Sequence, residues 1–176
     1  MIRGDEESRE PPLDFLWKVH SYTNEYIRFA DSKAAFIVAI AGALIGVVIS
    51  SRVFDGLRRL PLGGWPAVSW CAFFAVTCLS ISVVCATFTV RPRLWGSAQK
   101  GVIYWAGVMR HNSSHTFYCE LNALSEQSRA EAVADHLYIL ASICARKYAW
   151  LNRGIIFGLA GAIGAALAVL WIHLVA

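Results

Sequence analysis

The densest group of side chains able to do chemistry sits just ahead of an apolar run. It reads Asn24-Glu25-Tyr26-Ile27-Arg28-Phe29-Ala30-Asp31-Ser32-Lys33-Ala34-Ala35. Asn24, Arg28 and Asp31 are spaced four and three apart, so a helix puts them on one face, where Arg28 and Asp31 are placed to pair. Tyr26, Phe29 and Lys33 share the neighbouring apolar face. A lysine there either snorkels its ammonium to lipid headgroups or meets a partner inside a bundle. Two uses fit this chemistry. One is anchoring and helix packing. The other is a ligand or gating site where a sensing segment joins the membrane.

Elsewhere the chemistry is sparse. The sequence has no Gly-x-Ser-x-Gly, no His-Glu-x-x-His and no phosphate-cradling glycine loop. His111 and His115 are four apart, but the intervening Asn112, Ser113 and Ser114 favour a turn over a metal site. Asn112-Ser113-Ser114 also has the form of a glycosylation sequon, and the orientation derived below makes it inert. The five cysteines build no disulfide framework. Cys71, Cys78 and Cys85 recur at i, i+7 and i+14 inside an apolar window, and Cys119 and Cys144 fall where thiols stay reduced. With no C-x-x-C, a zinc site is not expected. The expectation is a protein without catalytic residues, metal or cofactor.

The elements that position the polar cluster follow from composition. The chain has 176 residues, 57% hydrophobic and 16% charged, with a formal charge of +4. Soluble domains carry about 25% charged residues. Three windows lack Asp, Glu, Lys and Arg altogether, at 34–51, 60–90 and 154–176. A helix needs about 20 apolar residues to cross a bilayer. Three such windows make an integral membrane protein, with spans at 34–51, 65–90 and 154–175. The second span is placed after Leu62-Gly63-Gly64. The segment ahead of Ala34 contains Asp5, Glu6, Glu7, Glu10 and Asp14 and no early apolar core, so no cleavable signal peptide is expected.

Orientation follows from the basic residues. Five precede the first span and eight lie between the second and third, against three between the first and second and none after the third. The N-terminus and 91–153 are therefore expected in the cytoplasm and the C-terminus outside. The basic residues form no single run, so nucleic acid is not indicated as a partner.

Residues 1–12 read as a disordered tail ending in Pro11-Pro12. From Leu13 to Ala41 no proline or glycine interrupts the chain. Phe15, Val19, Tyr22, Tyr26, Phe29, Lys33 and Phe36 form one stripe at 4-3-4-3-4-3 spacing. The amphipathic helix at 13–33 should therefore run straight into the first span. After the second span, Arg91-Pro92-Arg93 should turn the chain. Short helices are expected over 97–110 and 116–124. Ser128-Arg129-Ala130-Glu131 has capping-box spacing and should open a long helix. Its stripe of Val133, Leu137, Leu140, Cys144, Lys147 and Leu151 leads into the third span.

Within the second span, Cys71, Ala75, Cys78, Ser82, Cys85 and Thr89 form a stripe of small residues. Small residues let helices approach closely in lipid. The stripe serves either as a packing seam or as a pore face in an oligomer. Gly42-x-x-x-Gly46 and Gly154-x-x-x-Gly158 are further close-packing signals. No ionisable residue sits at the centre of a span, which argues against a proton-coupled transporter.

The run from Asn24 to Phe36 resembles the opening signature of the Pycsar transmembrane effectors, a family of bacterial antiphage proteins. The remaining features are similar and in order: Arg91-Pro92-Arg93 after the second span, the aromatic pair Tyr104-Trp105, and Lys147-Tyr148 ahead of the last span. The resemblance covers about residues 15–175. Tyr104 stands where phenylalanine is more usual, and the cysteines of the second span lie outside the pattern. The resemblance implies an inner-membrane effector with no catalysis of its own. It implies activation by cUMP or cCMP from a partner cyclase, damage to the membrane, and arrest of the infected cell before the phage matures.

A cyclic mononucleotide asks for one cation at its phosphate, an aromatic face for its base, and an amide or carboxylate for its edges and hydroxyls. Arg28, Arg91, Arg93, Arg146 and Lys147 supply charge. Tyr26, Trp105 and Tyr148 supply stacking, and Asn24 and Asp31 supply hydrogen bonds. The basic residues near the inner surface also suit anionic lipid headgroups. The fold class expected is all-α: three transmembrane helices and a small cytoplasmic bundle, with long helices continuous with spans one and three. Three spans seldom enclose a pore, so homo-oligomers are expected. The rival readings are a helical scaffold that recruits a soluble partner through the Val133–Leu151 stripe, and a constitutive channel subunit.

Overall fold

A computed structural model describes residues 13–51, 67–91 and 102–175. The expected tail at 1–12, the start of the second span at 65, Arg93 and the first part of the helix expected over 97–110 lie outside the described residues. Those described form five helices and no strand: α1 (Leu13–Ser50), α2 (Ala67–Val90), α3 (Trp105–Val108), α4 (Ser114–Ala123) and α5 (Glu126–Val175). Three of them, α1, α2 and α5, are long and apolar enough to cross a membrane. The protein is an all-α membrane protein with three such helices.

The chain divides into two compact units. One comprises 1–26 and 93–144, the other 27–92 and 145–176. Helices α1 and α5 each contribute to both.

The second unit packs α1, α2 and α5 in two layers. Ala30, Ala34, Ala86 and Leu151 form one, with Ile37 and Tyr148 against them. Val48, Ala72, Ala75, Ala165 and Ala168 form the other. The order of these residues makes α1 and α5 parallel and α2 antiparallel to both. Small side chains fill the inside, whereas Phe36, Phe73, Phe74, Leu159, Ile163 and Leu167 are at least half exposed. That inverts the pattern of a water-soluble core and suits helices whose outer faces meet lipid.

The small-residue stripe of α2 is a packing seam against α5. Ala75, Cys78, Ser82, Cys85 and Thr89 are buried, and Cys71 is half-buried. Opposite them lie the glycines of α5. A Cβ on Gly154 would stand 3.5 Å from Cys85 Cβ, one on Gly158 3.0 Å from Ser82 Oγ, one on Gly161 2.7 Å from Leu79 Cγ and one on Gly164 3.2 Å from Ala75 Cβ. Ser82 Oγ donates to the Gly154 carbonyl at 2.7 Å. Gly42 and Gly46 differ: among the described residues a Cβ on either would meet nothing within 4 Å, so this glycine pair packs against none of them.

The first unit departs from the sequence reading in three places. Residues 102–104 are bends, and the short helix expected to reach 110 covers Trp105–Val108 only. Helix α4 begins at Ser114 because Ser113 Oγ accepts from the Thr116 amide at 3.2 Å. Helix α5 begins at Glu126, capped by Ser125 rather than Ser128. Ser125 Oγ accepts from the Ser128 amide at 3.1 Å, so the serine read as a cap is the third residue of the first turn. Arg129 then donates to the Leu121 carbonyl at 3.2 Å, satisfying one of the last free carbonyls of α4.

The aromatic stripe of α1 also turns outward. Phe15, Tyr22, Tyr26, Phe29 and Phe36 are each more than half exposed. The packed face carries Leu16, Ala30, Ala34, Ala41 and Val48 instead, and its alanines let α1 approach its neighbours closely.

Candidate functional site

Two arrangements, one in each unit, bring sequence-predicted residues together.

The first lies in the unit formed by 1–26 and 93–144, and it is built of rings. Trp17 and His20, on one face of α1, meet edge to face with centroids 5.2 Å apart. The His20 ring lies 5.4 Å from that of His136 on α5. His136 lies 6.2 Å from Tyr104, and Tyr104 lies 5.6 Å from Trp105. One turn beyond His20, the Asn24 amide nitrogen is 3.2 Å from His20 Nδ1. Burial pushes the His136 imidazole below its ordinary value of 6.5, and His20 pushes it the same way. A neutral imidazole here accepts as well as donates, which an imidazolium cannot do. Of the predicted residues, Asn24 and Trp105 join this cluster, and Tyr26 is more than half exposed. Sequence reasoning missed His20 and His136. The spacing of His20 four residues before Asn24 was a usable signal. Contact with His136 was not, because it depends on the return of a distant part of the chain.

The second arrangement lies where α1 and α5 pack beside α2. Lys147 Nζ donates to Asp31 Oδ1. The lysine side chain is 15% exposed and the aspartate 37%. Asp31 was expected to pair along α1 with Arg28; its described partner is on α5 instead, and Arg28 is exposed. Tyr148 packs against Ala30, Ala34, Ala86 and Leu151 just beside the ion pair. A further link joins α2 to α5: Phe88 stacks on Trp150 at 5.1 Å, and the Arg153 guanidinium lies 4.9 Å over the Trp150 ring. The ion pair links α1 to α5 by charge, so a change in that pairing bears directly on the two helices.

Among the described residues, the other predicted cations stand apart from both arrangements. Lys33, Arg91 and Arg146 are exposed, as Arg28 is. Among the described residues no group of three His, Cys, Asp or Glu is placed to hold a metal. His111 packs on Phe117 with its Nδ1 3.4 Å from Glu120 Oε2, and His115 Nδ1 lies 3.8 Å from Cys119 Sγ.

Both arrangements fall within one family match. The sequence matches the Pycsar effector protein domain over residues 15–174. The chain belongs to the Pycsar transmembrane effector family. Among the relatives of this Pycsar chain, the effector SaPycTM of Staphylococcus aureus is 28% identical over 145 residues, covering 82% of this chain and 86% of that protein. PtPycTM of Propioniciclava tarda is 25% identical over 155 residues, covering 82% of this chain and 72% of that protein. No solved structure matches. Membership of the Pycsar effectors gives the protein an antiphage effector role, carried out by a multi-pass membrane protein.

Proposed function

We propose that this effector binds a cyclic pyrimidine mononucleotide, cUMP or cCMP, made by a partner cyclase, and responds by impairing the inner membrane of the infected cell. The observation that carries this reading is the Pycsar effector match over 15–174, which takes in the helical units and all three apolar helices together. The protein performs no catalysis of its own. The nucleotide acts as an activating ligand rather than a cofactor. The N-terminus and 91–153 face the cytoplasm, and the C-terminus lies outside.

In this reading α1 and α5 carry the signal, because each continues without a break from the sensing residues into a span. The Asp31–Lys147 pair holds the resting arrangement. Nucleotide binding shifts the equilibrium toward a second arrangement by its differential affinity for the two. The seam of Cys71, Ala75, Cys78, Ser82 and Cys85 against the α5 glycines then repacks, and homo-oligomers leak. Arg28, Lys33, Arg91, Arg93 and Arg146 serve chiefly to hold the inner surface to anionic headgroups. The scaffold reading loses its support, since Val133 and Leu151 are buried and the residues of the stripe between them are at least half-buried.

The test is dye release from liposomes holding the purified full chain, with cUMP, cCMP, cAMP and cGMP added separately. Release with a pyrimidine cyclic nucleotide and not with the purine ones is expected. Absence of release with all four, from protein shown to be folded and inserted, would overturn the reading.

A further inference from the structure

At the edge of the apolar windows, α2 and α5 together present a cation held on an aromatic ring. Phe88 of α2 stacks on Trp150 of α5 with centroids 5.1 Å apart, and the Arg153 guanidinium lies 4.9 Å over the same indole. The second charge-free window ends at Val90 and the third begins at Gly154, so all three residues stand at a membrane boundary. Tryptophan favours that level of a bilayer, where its ring meets the headgroups. Side chains on a helix lean toward its N-terminus. Arg153 therefore reaches back over Trp150, away from the apolar window and toward the polar end of α5.

The cation–π contact uses the flat face of the guanidinium and leaves its in-plane N–H donors for another partner. Among the described residues no carboxylate pairs with Arg153. Helix α2 has no Asp or Glu, and α5 has none beyond Asp135. Asp31, the one acid among the described residues of the unit formed by 27–92 and 145–176, is held by Lys147. Arg91, exposed three residues past Phe88, adds a second positive charge at the same end of α2. The charge here is positive and uncompensated. Apolar surface runs from it into the bilayer. Ile81, Val84 and Phe88 follow three-and-four spacing along α2 and are exposed, as is Phe157 four residues beyond Arg153. The stacked rings join these two stripes side by side.

We infer that Arg153 and the adjoining faces of α2 and α5 form a binding site for an anionic phospholipid, in the leaflet on the basic side of the helices. The phosphate accepts a bidentate pair of hydrogen bonds from the guanidinium. One acyl chain lies along Phe88, Val84 and Ile81. A zwitterionic headgroup brings a cation of its own, which finds no free carboxylate among the described residues of this unit. Headgroups of net negative charge are therefore favoured. Such a site needs only that the three apolar helices cross a membrane, whether or not a nucleotide activates the protein. The Gly154 carbonyl, next to Arg153, accepts from Ser82 Oγ. A lipid on Arg153 thus sits beside the polar contact that ties α5 to α2.

The experiment is titration of the full chain in detergent micelles with phosphatidylglycerol, and separately with phosphatidylcholine. Native mass spectrometry reads the share of protein carrying lipid. Wild type should bind phosphatidylglycerol at least about tenfold more tightly than phosphatidylcholine. Arg153→Gln should lose about tenfold in phosphatidylglycerol binding. Arg153→Lys keeps the charge but loses the planar fork, and Trp150→Leu keeps the arginine but loses its platform. Each should weaken phosphatidylglycerol binding by about threefold or more, with helix content unchanged. Lys33→Gln removes an exposed charge at the edge of the first window and should weaken binding less than Arg153→Lys does. sn-Glycerol 3-phosphate, a headgroup without chains, should not displace the lipid. Equal binding of the two lipids by wild type would overturn the site. So would wild-type binding by both Arg153→Lys and Trp150→Leu, which would leave only diffuse attraction of basic residues to the membrane. Displacement by glycerol phosphate would overturn it in favour of a soluble anion.

Discussion

Lys147 reaches Asp31 across a sequence separation of 116, and no local rule in either segment joins them. Removing one partner leaves the other without its described counter-charge. The aspartate side chain is more than a third exposed, which screens the pair. Its coupling free energy should therefore be about 1 kcal/mol. If the pair holds the resting arrangement, Asp31→Asn or Lys147→Gln should each raise nucleotide-independent dye release about fivefold, the factor that about 1 kcal/mol represents. The double variant should raise it by less than the product of the two single effects. Equal leak in wild type and both single variants would remove the pair from gating. The ring cluster illustrates the same scale from another side. His136 is kept neutral mainly by burial, so its role depends on the walls around it more than on its own identity.

At the scale of the element, the decisive contacts are made by absent side chains. Gly161 faces Leu79, and an added Cβ would stand 2.7 Å from Leu79 Cγ and 3.0 Å from its backbone nitrogen. Neither atom is the free end of a flexible chain, so α5 must move away from α2. Gly161→Ala should cost about 1–3 kcal/mol, read as a lower thermal midpoint in nanodiscs. Gly42→Ala, whose Cβ meets nothing, should be neutral or stabilising by up to about 1 kcal/mol through helix propensity. Equal effects of the two would show that α5 does not pack on α2 through Gly161. Sequence alone carried much of this. Charge-free windows located the three long helices, and the spacing of Cys71 to Thr89 marked the seam. It did not show which of two glycine pairs packs, because that depends on the partner surface rather than on the pair. The outward turn of Phe15, Tyr22 and Phe29 was likewise hidden. Periodicity groups residues onto one face without saying which face is buried, and in lipid the small face goes inside. The cap was misplaced for a similar reason: Ser125 and Ser128 are three apart, and either fits the same hydroxyl-to-amide geometry.

Across the whole molecule, the distribution of charge makes a statement that no single contact makes. Thirteen Lys and Arg residues fall to one side of the three long helices and three to the other. Each basic residue near an anionic leaflet contributes about 1 kcal/mol, so reversing the protein would forfeit a large attraction. The proposed orientation depends on that difference, and so does the nucleotide reading, because a cytosolic ligand needs the unit holding 102–144 on the cytoplasmic side. Cys119 is exposed within that unit, whereas Cys78 and Cys85 are buried and Cys71 and Cys144 half-buried. In wild type, a membrane-impermeant maleimide should label Cys119 readily in inverted vesicles and leave it untouched in intact spheroplasts. Moving the thiol from α4 to the C-terminal end of α5, with Leu174→Cys in a Cys119→Ser background, should reverse the pattern, since Leu174 is 79% exposed near the expected outer surface. Labelling of Cys119 from outside the cell would overturn the orientation and, with it, the reading that the unit holding 102–144 meets a cytosolic nucleotide. Labelling of Cys119 from inside only, together with Leu174→Cys from outside only, requires α5 to cross the bilayer between those two residues, which is the geometry that a signal carried along this helix demands.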